Sequence, residues 1–174
     1  MGSAVCKLSK YSRKEEKEKI ENKGGSEMYQ RILVPLDGSE LAECVLPHVK
    51  AIAKGCNIGE VVLLEVVEPP PAWAAEGIDF YAVQNASVEA AKEYLSKVQS
   101  QLSSEGFNVR SEVLVGKAAE TIIEFSQQNA VDLVAIATHG RSGISRWVFG
   151  SVADKLVRSS SVPLLLIRPA KEEA

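Results

Sequence analysis

Three glycines, Gly140, Gly143 and Gly150, share the stretch ATHGRSGISRWVFGS with Arg141, Arg146, Ser142 and Ser151. Glycine lets a backbone take positive φ and approach a ligand closely. Guanidinium and hydroxyl groups add hydrogen bonds to an anion. The apolar run DLVAIAT stands before this stretch, and VADKLVRSS, with helical character, follows it. The free N–H groups and dipole at the start of such a helix can receive a phosphate. The same residues also fit a plain strand-to-helix connection in which Ser151 caps the helix. Residue types and spacing leave both readings open.

A second polar loop, PLDGS, follows the first apolar run RILVPL, Arg31–Leu36. Asp37 is its acidic group. In an open parallel sheet, ligands bind beyond the C-terminal strand ends, where strand order reverses. With strands one and four adjacent, the Asp37 loop and the glycine loop face each other there.

Other chemistries find no pattern. No GxxxxGK[ST] phosphate loop and no GxGxxG fingerprint after the first strand are present. LDGSE lacks the nucleophile-elbow pattern. A receiver domain would want an acidic pair after the first strand, where this chain has Asp37 alone. His139 is read as a hydrogen-bonding or packing residue of its loop rather than a catalyst. No general base with a water-positioning partner is evident, so catalysis is expected to be absent or weak. Cys6, Cys44 and Cys56 have no CxxC spacing and read as free thiols of a reducing cytosol. A zinc site is short of ligands, since only His48 and His139 could join them.

The elements that must position these loops alternate in type. SELAECVLPHVKAIAKG has helical spacing at Leu41, Val45, Val49 and Ile52, with Ser39 as N-cap, Pro47 as a bend and Gly55 as its end. EVVLLEVVE, Glu60–Glu68, reads as a strand buried on both faces. Pro69–Asn85 is expected to be a long irregular loop carrying Trp73, Phe80 and Tyr81, as a cover over the core or a lid beside a ligand or partner. Helical spacing returns at Val88, Ala91, Leu95, Val98 and Leu102. FNVRSEVLVG alternates as a third strand, KAAETIIEFSQQNA is a helix, and SVPLLLIRP, Ser161–Pro169, is a fifth strand. Strand–helix alternation predicts an α/β fold: an open parallel sheet of five strands with helices on both faces and right-handed crossovers.

Residues 1–27 are almost all charged or polar and read as an extension or leader outside the fold, with the domain running over 28–174. A basic tail that binds a partner is the sharper alternative. The net charge of −3 and pI near 5.5 lack the basic balance of a nucleic-acid binder. No apolar run approaches the ~18 residues of a membrane span, and no signal-peptide pattern is seen, so a cytoplasmic protein is expected.

RILVPLDGSE, EVVLLEVVE and VDLVAIATHGRSGISRWVFGSVADKLVRSSSVPLLLIRP, in this order, resemble the universal stress protein family across residues 28–174. The ATP-binding pattern of that family is Gly, two residues, Gly, nine residues, Gly, then Ser or Thr. Here Ala137 stands at the first position, and Gly140, Gly150 and Ser151 match the other three with the same spacing. The resemblance implies a Rossmann-like sheet of the adenine nucleotide alpha hydrolase type, ordered 3-2-1-4-5. It implies an ATP-binding regulatory or sensor homodimer of the stress response, with Mg as the natural companion of ATP. The alternatives are a slow ATPase at the same site or a nucleotide-free interaction module. By this resemblance Asp37 lies in the adenosine pocket, Val66 offers backbone groups to adenine, and Gly140, Gly150 and Ser151 hold phosphates. The candidate binding set is Pro35, Leu36, Asp37, Val66, Ala137, His139, Gly140, Arg141, Gly143, Gly150, Ser151 and Val152. Dimers are implied through the last strand, Val162 to Arg168, whose apolar edge is otherwise prone to association. Coverage of that edge by a helix or by the N-terminal extension is the other reading.

Overall fold

The structure is a computed structural model, and it describes residues 29–70, 80–138 and 150–169. Strands β1 (Arg31–Leu36), β2 (Glu60–Val67), β3 (Val109–Val115), β4 (Leu133–Ala137) and β5 (Leu164–Ile167) form one sheet in the order β3-β2-β1-β4-β5. All four pairings are parallel. The helices are α1 (Glu40–Glu43), α2 (Leu46–Gly55), α3 (Phe80–Ser104), α4 (Ala118–Gln128) and α5 (Ser151–Ser159).

Side chains alternate across a strand, so a strand that is apolar throughout must be covered twice. Ile32, Val34 and Leu36 of β1, with Val61 and Leu63 of β2, pack against Val45 just before α2, Val49 of α2, and Leu95 and Val98 of α3. Leu33, Val62, Leu64, Val134 and Ile136 point the other way, onto Ile122 and Phe125 of α4 and Leu156 of α5. The layers are therefore α1–α3, the sheet, and α4–α5.

The single helix expected over Ser39–Gly55 is two. Pro47 has no N–H to give the Glu43 carbonyl, and its ring crowds that carbonyl. The chain accordingly leaves α1 after Glu43 and starts α2 with Pro47 in its first turn. Within the stretch Pro69–Asn85, expected to be an irregular loop, Phe80–Asn85 are helical and belong to α3. FYAVQN holds neither glycine nor proline, so the ladder nucleated by the packed half of α3 extends through it. Trp73 lies outside the described residues. The last strand is confined to Leu164–Ile167, within the broader Ser161–Pro169 of the sequence reading.

The N-terminal ends of the strands satisfy one another. Glu60 takes Arg31 Nε at 2.5 Å and Arg110 Nε at 3.2 Å. Asp132 accepts the backbone N–H groups of Gln30 and Arg31, each at 2.8 Å. The opposite, C-terminal edge is where a cavity is left.

Leu63 is fully buried in the middle of β2. Leu63→Ala is expected to cost about 2–5 kcal/mol. In urea unfolding this shows as a lower midpoint with an unchanged slope, and a loss within ~0.5 kcal/mol would contradict the packing described.

Candidate functional site

A cavity of about 740 Å³ opens at the C-terminal ends of β1, β2 and β4. It lies where the crossovers from β1 and β4 leave to opposite faces of the sheet, and its size is that of a small-molecule site.

The β1 side is set by a turn. Gly38 takes a φ of 79°, a left-handed conformation open to glycine. Its turn brings the Asp37 carboxylate onto Ser39, which donates its backbone N–H at 3.0 Å and its hydroxyl at 2.6 Å. The Ser39 oxygen in turn accepts from the Ala42 N–H at 3.2 Å and so caps α1. Asp37 is thus held in place by the helix start that follows it.

The β4 side is closed by Thr138 and Gly150. The Gly150 N–H donates to the Thr138 carbonyl at 2.8 Å. Gly150 is the N-cap of α5 and supplies no side-chain hydrogen bond to it. Ser151 is therefore the first helical residue, and the plain cap envisaged for it is not formed. The leading N–H groups of a helix without a side-chain cap are free to meet an anion.

The β2 side carries acid. Glu65 is 6% exposed and lines the cavity, and Tyr94 of α3 lines it beside Glu65. Burial first, then the carboxylates of Glu43, Glu65 and Asp37, push the Tyr94 phenol well above its ordinary value of 10.0. Glu68 also borders the cavity, and its carboxylate accepts the Ala118 N–H at 3.1 Å, capping α4.

Of the residues proposed from sequence, Pro35, Leu36, Asp37, Val66, Ala137, Gly150, Ser151 and Val152 line this one cavity. His139, Gly140, Arg141 and Gly143 lie outside the described residues. Ala137 closes β4, buried and paired with Ile167. It is not among the positive-φ residues, so an L side chain sits there without backbone strain. Sequence reasoning missed Glu65, Glu68, Tyr94 and Thr138. Glu65 had a signal: it is the lone polar residue inside the apolar run VVLLEVV. Tyr94 stands three residues after Ala91, beside the apolar stripe of its helix.

An open parallel sheet with a cavity at its switch point defines a doubly wound α/β domain with a candidate ligand site. The chain belongs to the universal stress protein family, whose model matches residues 28–168. It is 30% identical over 153 residues to universal stress protein MJ0531 of Methanocaldococcus jannaschii, covering 87% of this chain and 89% of that one. The solved structure of MJ0577 superposes with a TM-score of 0.75 at 30% identity, over 83% of this chain and 99% of the other. The universal stress protein of Archaeoglobus fulgidus in complex with dAMP shares the fold, with a TM-score of 0.57 at 22% identity over 80% and 98% of the two chains. No helix among the described residues is long and apolar enough to cross a membrane.

The raised Tyr94 phenol has a consequence at alkaline pH. The folded chain keeps this proton where the unfolded chain, near 10.0, gives it up. Its contribution is complete below that value and is lost as pH rises above it. Wild-type stability in urea is expected to fall more steeply above pH 10 than that of Tyr94→Phe, and parallel curves would count against the burial of this hydroxyl.

Proposed function

We propose that the cavity binds an adenine nucleotide, ATP in the first instance, and that the protein acts as a regulatory or sensor component of a stress response rather than as a fast catalyst. One observation carries this reading: the start of α5, which no side chain among the described residues caps, opens into a cavity that Asp37 borders from the β1 side. Phosphates would sit at Gly150, Ser151 and Val152, where backbone N–H groups and the helix dipole favour negative charge. The nucleoside would lie toward Asp37 and Val66. Gly140, with His139, Arg141 and Gly143, is assigned to the same phosphate end by its place in the motif. The dAMP bound by the Archaeoglobus relative supports an adenine nucleotide.

Mg would come with the phosphates. Among the described residues no cluster of three His, Cys, Asp or Glu could hold a metal ion. A cation that keeps several waters and leans on phosphate oxygens fits such a site. Asp37 already accepts two hydrogen bonds from Ser39, which suits a positioning carboxylate better than a general base.

The reading predicts that ATP binds with micromolar to millimolar affinity in calorimetry. Gly150→Val, which puts a branched side chain at the mouth of the α5 N-terminus, should abolish it. Retention of full affinity by Gly150→Val, or no binding by the wild type, would reject the site.

We also place a homodimer contact on β5. Leu164–Ile167 are half-buried, and β5 is an edge strand. Edge strands with apolar side chains invite pairing. Analytical ultracentrifugation should show a dimer for the wild type and a monomer for Leu165→Lys; a dimer in both would move the contact elsewhere.

A further inference from the structure

Helix α4 starts against the end of β2, at the border of the cavity. Two hydrogen bonds tie this start to β2. The Gly116 N–H donates to the Val67 carbonyl at 3.1 Å, and the Ala118 N–H donates to the Glu68 carboxylate at 3.1 Å. Gly116 keeps the turn tight, since a Cβ there would come within 2.5 Å of the Thr121 hydroxyl oxygen. Lys117 holds the N-cap position of α4 and gives it no side-chain hydrogen bond. The cap comes from the neighbouring strand instead, and it fixes one oxygen of Glu68.

Glu68 belongs to the cavity as well as to the helix. Val66, Val67, Glu68, Ala118 and Ile122 form this stretch of wall, and of these Glu68 alone has a polar side chain. Val66 packs on the face of the sheet that α4 and α5 cover, and Glu68, two residues on, shares its parity. The carboxylate therefore stands on the same side as the Val66 side chain, roughly 7 Å further along the chain. The bond from Ala118 is its one hydrogen bond among the described residues. A carboxylate accepts hydrogen bonds and has none to give. A ligand that meets its second oxygen must bring the proton.

We propose that Glu68 is the base-reading residue of this cavity: it selects an aminopurine such as adenine over an oxopurine such as hypoxanthine, because an exocyclic amine donates to its second oxygen and a carbonyl turns lone pairs toward it. The inference rests on the nucleotide reading above, in which the nucleoside lies toward Asp37 and Val66. With phosphates at the start of α5, the base is the part of the ligand left to reach the end of β2 and the start of α4. An oxopurine sets acceptor against acceptor there, and a ligand that leaves polar groups unpaired is the one rejected. Helix and ligand share one carboxylate. Because α4 already holds it, binding has less side-chain freedom left to freeze.

The test follows from that shared group. In Glu68→Gln the amide oxygen still accepts from Ala118, which turns the amide NH2 toward the cavity. Volume and helix cap are kept, and an acceptor becomes a donor. Calorimetry with ATP and inosine triphosphate at fixed magnesium should show that the wild type prefers ATP by at least about fivefold, the worth of one net hydrogen bond. Glu68→Gln should lower that ratio by at least about fivefold, weakening ATP and improving inosine triphosphate together. Purine riboside triphosphate, with a hydrogen in place of the amine, should bind the wild type with an affinity between the two. Circular dichroism checks that the variant folds. Equal affinities for ATP and inosine triphosphate in the wild type overturn the inference while nucleotide binding stands. So does a ratio that folded Glu68→Gln leaves unmoved, including the equal loss of both ligands that a helix cap alone would give. A wild type that binds none of the three overturns the nucleotide reading and this inference with it. If Glu68→Gln does not fold, purine riboside triphosphate decides: wild-type affinity equal to that for ATP means that the amine is not read.

Discussion

Burial of β1, β2 and β4 on both faces is the constraint on which the rest of the structure depends. Ile32 through Leu36 are buried without interruption, as are Val61 through Glu65 and Leu133 through Ala137. Parallel strands of that kind need helices above and below, and each crossover must return to the same end of the sheet. Polar groups that the sheet cannot pair are then pushed to the strand ends. At the N-terminal end they neutralise one another through Glu60, Arg31, Arg110 and Asp132. At the C-terminal end the helices that follow β1 and β4 lie on opposite faces of the sheet, and a cavity is left among the described residues.

How much of this was legible in the sequence follows from which physics governs each part. Layering and strand direction come from apolar periodicity, which is written residue by residue, so the α/β alternation could be read directly. The order of the strands came through the resemblance to a family, because periodicity says nothing about which strand neighbours which. Boundaries failed where a local signal competed with packing. Pro47 bends a helix in a peptide, but here the chain uses Cys44 and Val45 to leave one helix and enter another. Phe80–Asn85 lacks any apolar stripe against the core, so its helical state could not be anticipated from periodicity; it is carried by the helix to which it is joined.

The candidate site divides in the same way. Glycine and hydroxyl residues with fixed spacing are conspicuous in a sequence and pointed to Gly150 and Ser151, while Asp37 stood out as the acidic group of the loop after β1; all three line the cavity. Glu65 and Tyr94 were missed because each sits inside a segment whose dominant pattern is apolar. A single polar residue in a buried strand is worth more suspicion than a polar residue in a loop, since its desolvation must be offset by something. Glu65 stands in the cavity wall beside Tyr94.

Helix α3 outruns the sheet it covers. Its 25 residues span about 37 Å, against about 26 Å for the eight residues of β2. Up to Ala90 nearly every position is solvent-facing, with Tyr81 75% exposed, and deep burial starts at Ala91 and Leu95. Amide protection should therefore rise steeply along this one helix, from fast exchange near Phe80 to near-global stability by Leu95. Ser87, Ala90, Ala91 and Tyr94, which border the cavity, straddle that gradient. One wall of the cavity is in consequence stiff at its floor and compliant at its rim, so a ligand can be gripped below while its entrance breathes.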